Sequence, residues 1–247
     1  MNLVLLEAGE LGGDGRVRLS GSRAAHLLKV LRVAAGQKVR VGVLDGPRGA
    51  GTVESIGADD VELSCVLEDE ATRPPRVDLL LALPRPKVMR RLWAQLAALG
   101  VARIVLTNAE RVERPYFDTH VLSPECYRPL LIEGLQQARD TRLPTVSIHR
   151  QFKVLIEDEL DDLSDASLRL VADPGASGSA GEAIRGRLRA DGSSRVLLAI
   201  GPEGGWNAFE LRLLDAHGFH PIGMGPRTLR TDTACLALLA LVHDALT

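Results

Sequence analysis

Two different hydrophobic patterns divide the chain near residue 72. Before that point, short segments alternate apolar and polar residues, and turn residues such as Asp45-Gly46 and Gly57–Asp60 separate them. Alternation with a period of two and closely spaced turns is typical of β-strands in a small barrel or sandwich. We therefore predict a small antiparallel barrel with strands at Val39–Val43, Gly51–Ile56 and Val61–Val66.

A single helix is predicted before these strands, with Ser22 as its N-cap and an apolar face formed by Leu27, Leu28, Val30 and Leu31. The segment Ala71–Pro75 then breaks the pattern, because proline disfavours both a helix interior and a central strand. We place a domain boundary here. The prediction is one domain over residues 1–72 and a second over residues 73–247.

Beyond the boundary, continuous apolar runs alternate with segments of helical period. Such alternation predicts an α/β domain with a mainly parallel sheet. The predicted strands are Val77–Leu83, Ala102–Leu106, Leu168–Ala172, Arg195–Ile200 and Pro221–Met224. The predicted helices are Val88–Leu99, Pro124–Ala138, one from about Glu182, Asn207–His217 and Thr233–Leu246.

Composition narrows the class of protein. With 247 residues, 45% hydrophobic and 25% charged, the chain has a globular composition rather than a disordered or collagen-like one. The longest apolar run near the C-terminus, Ala234–Val242, is too short to cross a bilayer. Residues 1–9 show no secretory leader, and the three cysteines are isolated, which fits a reducing compartment. We therefore expect a cytoplasmic protein without a membrane partner.

The charges are unevenly distributed. The formal net charge is −2, which by itself argues against a general nucleic-acid coat protein. However, the segments Arg16–Arg48 and Arg73–Arg91 are strongly basic, and acidic residues cluster in Glu157–Asp165, which reads as a solvated connector. Arginine far outnumbers lysine; a GC-rich genome explains this most simply, although planar guanidinium groups also suit phosphate. The uneven distribution therefore allows a basic face on a nearly neutral protein.

Two other features carry little information. The stretch Gly175–Gly181 follows a predicted strand and precedes a predicted helix, but it has neither the GxGxxG pattern nor a P-loop lysine. A flexible connector and a ligand-binding loop are therefore about equally good interpretations of it. The six histidines have no metal-ligand spacing, and neither do the cysteines. We expect no metal site.

The strongest local signals are two loops that each follow a predicted strand. The first is Ile200-Gly-Pro-Glu-Gly-Gly205, after which Asn207 and Glu210 form a reciprocal N-cap pattern. The second is Gly223–Thr233, with two glycines, two arginines and several capping side chains. Either loop alone is equally well read as a tight turn. Together, at the carboxyl edge of a parallel sheet, they favour a composite ligand site.

At these residues the chain resembles the RsmE family of the SPOUT superfamily, methyltransferases that act on 16S ribosomal RNA. The resemblance rests on Gly201–Gly205 with Gly225–Ala234, and more loosely on His26–Arg32, Leu99–Val101, Glu110-Arg111 and Asp173-Pro174. It implies a SPOUT α/β knot, a deep trefoil, over residues 73–247, and a PUA-like β-barrel RNA-binding domain over residues 1–72. It also implies S-adenosyl-L-methionine as cofactor, N3 of a uridine in the 30S subunit as target, and a homodimer.

The resemblance further implies roles for individual residues. Arg230 would stabilise the uridine anion or anchor a phosphate, and Glu203 or Asp232 would accept the N3 proton, although both carboxylates are equally well read as caps. The implied cofactor-binding residues are Ile200, Gly201, Pro202, Gly204, Gly205, Met224, Gly225, Leu229, Arg230 and Thr231. The implied RNA-binding residues are Arg23, His26, Lys29, Arg32, Arg85 and Arg111.

The chain departs from the family pattern in its middle segment. Ala94–Val101 lacks the usual Lys and Glu, Asp140 stands where an arginine is usual, and Asp232 stands where a Glu is usual. Two alternatives therefore stay open: an active methyltransferase with a different RNA target, and a non-catalytic RNA-binding assembly factor on the same scaffold.

Overall fold

The computed structural model describes residues 3–176, 180–188, 192–225 and 227–247. The chain forms two compact units. The N-terminal unit comprises residues up to Pro74 together with Leu131–Leu143, and the second unit comprises Pro75–Leu130 and Pro144–Thr247. No helix in these described ranges is long and apolar enough to span a membrane.

The N-terminal unit is built on a five-stranded sheet in the order β1-β3-β4-β5-β2. Its strands are β1 Val4–Leu6, β2 Arg16–Leu19, β3 Lys38–Val43, β4 Pro47–Ile56 and β5 Val61–Ala71. The three pairs β3–β4, β4–β5 and β2–β5 are antiparallel, as the alternating pattern predicts. The prediction of an entirely antiparallel arrangement is wrong at one edge, because β1 pairs with β3 in parallel.

The predicted first helix is shorter and less regular than expected. Helix α1 covers Gly21–Ala25 with Ser20 rather than Ser22 at its N-cap, and a π-helical segment, His26–Leu31, continues it. The wider turn changes which side chains face inward. Leu27 is buried, whereas Val30 and Leu31 are exposed, so only part of the predicted apolar face reaches the core.

The second unit contains a six-stranded, entirely parallel sheet in the order β11-β9-β10-β6-β7-β8. Its strands are β6 Val77–Ala82, β7 Val101–Thr107, β8 Thr145–His149, β9 Leu168–Ala172, β10 Val196–Ile200 and β11 Phe219–Ile222. Every residue of the central strands β6 and β10 is buried, as expected for a parallel sheet covered on both faces. The predicted α/β class is confirmed.

Helices cover this sheet. They are α2 Pro86–Ala98, α3 Pro124–Ala138, α4 Phe152–Val154, α5 Leu160–Leu163, α6 Ala180–Arg185, α7 Ala208–Ala216 and α8 Thr231–Leu246, with 3-10 turns at Arg114–Asp118 and His120–Leu122. Helix α8 packs against α6, α2 and β10. The predicted connector at Glu157–Asp165 is largely helical, with a π-helical segment at Leu155–Glu159 followed by α5. Most of its acidic side chains are exposed, as predicted, whereas Leu160 is buried.

Helix α3 begins in the second unit and ends in the N-terminal one. The residues that follow it are fixed to the loops of the N-terminal unit. The hydroxyl of the buried Thr141 donates to the carbonyl of Gly46 at 2.7 Å, and the amide of Leu143 donates to Oδ1 of Asp45 at 3.0 Å. Residues 131–143 therefore belong structurally to a sheet that ends some sixty residues earlier in the chain.

Candidate functional site

The site is assembled where the adjacent strands β9, β10 and β11 end. Their last residues are Ala172, Ile200 and Ile222. The strands are parallel neighbours, so the loops that follow them meet at one edge of the sheet, the edge at which α/β proteins bind ligands. Residues 177–179 of the glycine-rich stretch and Pro226 of the second signature loop lie outside the described residues.

A cleft between two of these loops encloses about 360 Å³ of free space, part of it open to solvent. Its walls are mainly apolar and backbone groups. The lining residues are Ala172, Asp173, Pro174, Ile222, Gly223, Met224, Gly225, Arg227, Leu229, Ala234 and Leu238. We call this the β9–β11 cleft. It brings together Met224, Gly225 and Leu229 of the predicted cofactor residues.

The two loops of this cleft approach each other closely at Gly223, which has no side chain to separate them. A Cβ atom at this position would lie 2.8 Å from the carbonyl oxygen of Ala176 and 3.2 Å from that of Asp173. The loops are joined by a hydrogen bond from the amide of Asp173 to the carbonyl of Ile222, at 3.0 Å. The narrow approach therefore requires glycine. The sequence places Gly223 at the start of the second predicted loop, but not among the predicted cofactor-binding residues.

The first signature loop, residues 201–205, packs on two larger side chains. A Cβ at Gly201 would lie 3.1–3.2 Å from ring atoms of Trp206, which is buried and stacks on Phe152 with ring centroids 5.3 Å apart. A Cβ at Gly204 would lie 2.8 Å from Cδ of Arg111, whose Nη1 donates to the carbonyl of Gly204. These glycines let the loop close over Trp206 and Arg111.

The two signature loops also meet each other. The hydroxyl of the buried Thr231 approaches the carbonyl oxygen of Gly201 at 3.5 Å. Ile200, Gly201, Pro202, Gly204 and Gly205 do not line the β9–β11 cleft itself, although they follow the adjacent strand. The predicted cofactor residues thus form two groups on neighbouring strand ends.

The three predicted catalytic side chains differ in how they are held. Arg230 is exposed and precedes the first residue of α8. Asp232 has both carboxylate oxygens occupied, since Oδ1 accepts from the amide of Thr233 and Oδ2 pairs with Nη2 of Arg91, each at 2.9 Å. Glu203 is exposed, and its Oε1 accepts from the amide of Arg85 at 3.2 Å.

Comparison with known proteins identifies the family to which this chain belongs. Residues 72–243 match a family model described as an RNA methyltransferase domain. A ribosomal RNA small subunit methyltransferase E from Treponema pallidum is 32% identical, with the alignment covering 98% of this chain and 90% of the relative. The chain belongs to the RsmE family.

Two solved structures share the fold of this RsmE-family chain. One is a putative methyltransferase from Legionella pneumophila in complex with the cofactor S-adenosylmethionine, with a TM-score of 0.77 and 23% identity. The other is a ribosomal RNA small subunit methyltransferase E from Neisseria gonorrhoeae bound to S-adenosylmethionine, with a TM-score of 0.76 and 21% identity. Each alignment covers 99% of this chain and 97% of the other.

The predicted RNA-binding residues of this RsmE-family chain are held differently in the N-terminal unit. The guanidinium of Arg23 donates to the carboxylate of Glu10, and this pairing lowers the pKa of Glu10. His26 is half-buried, and burial lowers the pKa of its imidazole. Lys29 and Arg32 are exposed beside the exposed Val30 and Leu31.

In the second unit, Arg85 and Arg111 are exposed, but both also support the first signature loop. The amide of Arg85 donates to Glu203, and the guanidinium of Arg111 donates to the carbonyl of Gly204. Arg111 is therefore part of the architecture of the RsmE-family site as well as a candidate contact for RNA.

Sequence reasoning missed Arg91 and Trp206, and it placed Gly223 in the second loop without naming it among the cofactor-binding residues. Trp206 could have been found, because an apolar aromatic directly after a glycine loop suggests a packing partner for that loop. Arg91 gave no signal, since its partner Asp232 is 141 residues away. Within the described ranges, no group of three or more His, Cys, Asp or Glu residues is arranged to hold a metal ion.

Proposed function

We propose that this chain transfers a methyl group from S-adenosyl-L-methionine to N3 of a uridine in the 16S rRNA of the 30S subunit. Family membership, over residues 72–243 and through relatives named ribosomal RNA small subunit methyltransferase E, supports the reaction class. The observation that carries the proposal is the β9–β11 cleft, in which Gly223 allows two strand-end loops to approach within contact distance.

The residues of the site fit the cofactor. Apolar walls formed by Pro174, Ile222 and Leu238 suit an adenine ring, and the glycine backbone at Gly223 and Gly225 leaves room for it to lie against the chain. Bound there, S-adenosylmethionine supplies an electrophilic methyl group. The remaining predicted cofactor residues, from Ile200 to Gly205 and from Leu229 to Thr231, would hold its other end.

Two kinds of side chain would act on the uridine: a carboxylate that accepts the N3 proton, and an arginine that stabilises the negative charge left on the base. The side chain of Arg230 is exposed and has no hydrogen-bond or ion-pair partner among the described residues, so its guanidinium is available to stabilise an anionic base. Of the two carboxylates, Glu203 suits the general base better. One of its oxygens has no partner in the described part of the chain, whereas Asp232 has both oxygens engaged.

Further parts of the proposal concern architecture and partners. The N-terminal unit would be a PUA-like RNA-binding barrel, and its exposed Lys29 and Arg32 support contact with phosphate. The C-terminal segment would form a trefoil knot, which the packing of α8 against β10, α6 and α2 supports. We further propose a cytoplasmic homodimer that acts on the 30S subunit.

Methylation of unmodified 30S subunits tests the proposal. Purified protein, labelled S-adenosylmethionine and subunits from cells that lack the modification should give 3-methyluridine by nucleoside mass spectrometry. Primer extension should stop at the modified base, because a methyl group at N3 blocks base pairing. Arg230→Ala should reduce turnover far more than cofactor affinity. A different methylated nucleoside would identify another RNA target, and subunit binding without any methyl transfer would identify a non-catalytic assembly factor.

A further inference from the structure

A second, larger cleft lies at the same edge of the sheet, beyond the first signature loop. It encloses about 850 Å³ of free space, part of it open to solvent. It is formed where strands β7, β8 and β10 end. Its lining residues are Asn108, Ala109, Glu110, Val112, Arg114, Phe152, Lys153, Asn207, Phe209 and Glu210. We call it the β7–β10 cleft. None of its residues belongs to the cofactor site proposed above.

An exposed aromatic ring borders this cleft. Phe209, in the first turn of α7, is 50% exposed, and it is the one aromatic residue among the large exposed hydrophobic side chains of the described ranges. Phe152 also lines the cleft, and it is buried against the buried ring of Trp206, which holds this part of the wall in place. A free aromatic face beside a rigid wall suits stacking of a flat base.

The polar groups of the cleft fall into two kinds. Arg114 is exposed and makes no hydrogen bond or ion pair with any described residue, and Lys153 is exposed with only a 3.7 Å pair to Glu157. These two cations are available to a phosphate. The charge of Glu210 is already satisfied, because its two oxygens accept from the amides of Glu110 and Asn207, each at 2.7 Å.

The cleft also offers a hydrogen-bond acceptor. The carboxylate of Glu110 is exposed, so its oxygens are accessible to an N–H group of a ligand. Asn108 lines the cleft beside it and is held by its backbone amide, which donates to the carbonyl of His149 at 3.2 Å. Its side-chain Oδ1 is buried and has no hydrogen-bond partner among the described residues.

An aromatic face, two available cations and a carboxylate acceptor for N–H groups are together the recognition chemistry of a nucleotide. We propose that the β7–β10 cleft binds one nucleotide of the substrate RNA, next to the nucleotide that is methylated, with its base on Phe209 and its phosphate on Arg114 and Lys153. The proposal rests on the proposed function for the identity of the RNA. The position at the shared sheet edge supports it, since both clefts flank the first signature loop.

RNA binding without cofactor tests the cleft independently of methyl transfer. The probe is a fluorescein-labelled 12-nucleotide oligocytidylate, titrated with the full-length protein and followed by anisotropy. Phe209→Leu should weaken binding about tenfold, because stacking on one base is lost, whereas Phe209→Tyr should bind like the wild type. Wild-type affinity in the Leu variant, or equal losses in both variants, would overturn the proposal.

Arg114→Gln supplies a second test with a matched control. One phosphate contact is lost, so the slope of log K against log salt should decrease by about 0.7. Arg187→Gln removes the same charge from an exposed residue after α6, outside the cleft, and should leave the slope unchanged. Equal slopes for the two variants would refute the phosphate contact. Methyl transfer to 30S subunits, measured in parallel, reports on the proposed function and can fail while these binding results stand.

Discussion

Arg91 of α2 and Asp232 of α8 form an ion pair in which Nη2 and Oδ2 are 2.9 Å apart. This pair joins the first full helix of the second unit to the last one, directly after the second signature loop. Exposed pairs of this kind contribute only about 0–1 kcal/mol to stability. Its importance therefore lies in fixing the start of α8, and with it the position of Arg230 and Thr231.

Asp232→Asn should lower the rate of methyl transfer by less than about tenfold, because asparagine keeps the acceptor for the amide of Thr233 and the native carboxylate is already engaged. Glu203→Gln should cost about a hundredfold or more, as expected for loss of a general base. Single-turnover rates measured across pH check both variants. The reverse ranking would assign the base to Asp232.

Gly223→Ala should weaken the binding of S-adenosylmethionine at least about tenfold, because overpacking costs about 1–3 kcal/mol and the new Cβ meets a backbone carbonyl at 2.8 Å. Isothermal titration calorimetry measures the affinity. Gly9→Ala is the control, since a Cβ there has no atom within 4 Å. Unchanged affinity in the Gly223 variant would place the cofactor away from the β9–β11 cleft.

Arg111→Lys should weaken cofactor binding by about tenfold or more, because a charged hydrogen bond to the Gly204 carbonyl contributes about 1.5–3 kcal/mol and lysine cannot reproduce the planar contact. The charge is kept, so the salt dependence of RNA binding should be unchanged. Calorimetry for the cofactor and anisotropy for RNA separate the two roles. A loss confined to RNA affinity would contradict the loop-anchoring role.

Stability should fall below about pH 6.5 because of His243, whose pKa is lowered by burial and, to a smaller extent, by the charge of Arg76. The imidazole of His243 therefore binds a proton more readily in the unfolded chain than in the folded one. The contribution of neutral His243 to the free energy of unfolding is complete above the pKa of the unfolded state and is lost as the pH falls below it. Urea midpoints at pH 7.5 and pH 5.5 measure the effect. His243→Gln should reduce the difference between the two midpoints, and an identical difference in both proteins would exclude His243 as its source.

Much of the second unit could be predicted from the sequence. The buried strands β6 and β10 are continuous apolar runs, Gly100 ends α2 with a positive φ of 74°, and Asn207 with Glu210 forms the predicted capping box. These features are local, so a single sequence contains them. The predicted strands and helices were correct there to within a few residues.

The parts that could not be predicted depend on distant residues. Strand β8 was missed, since Thr145–His149 lies at the edge of the sheet and is only partly buried, which leaves a weak apolar signal. The acidic segment Glu157–Asp165 reads as solvated, although Leu160 within it reaches the core. The contact of Gly223 with Ala176 joins residues on two loops, and a glycine in a turn-like loop gives no indication of its distant neighbour.

The return of residues 131–143 to the N-terminal unit has a consequence for how the protein is made. A ribosome that has released the first 74 residues has not yet supplied Thr141, whose hydroxyl and backbone carbonyl hydrogen-bond to the loop containing Asp45 and Gly46. The N-terminal unit therefore reaches its final form only after about half of the chain has been synthesised. A gene fragment that ends at residue 74 would encode the five-stranded sheet without residues 131–143, which hydrogen-bond to its loops. A fragment that extends through residue 143 would contain both parts of the N-terminal unit.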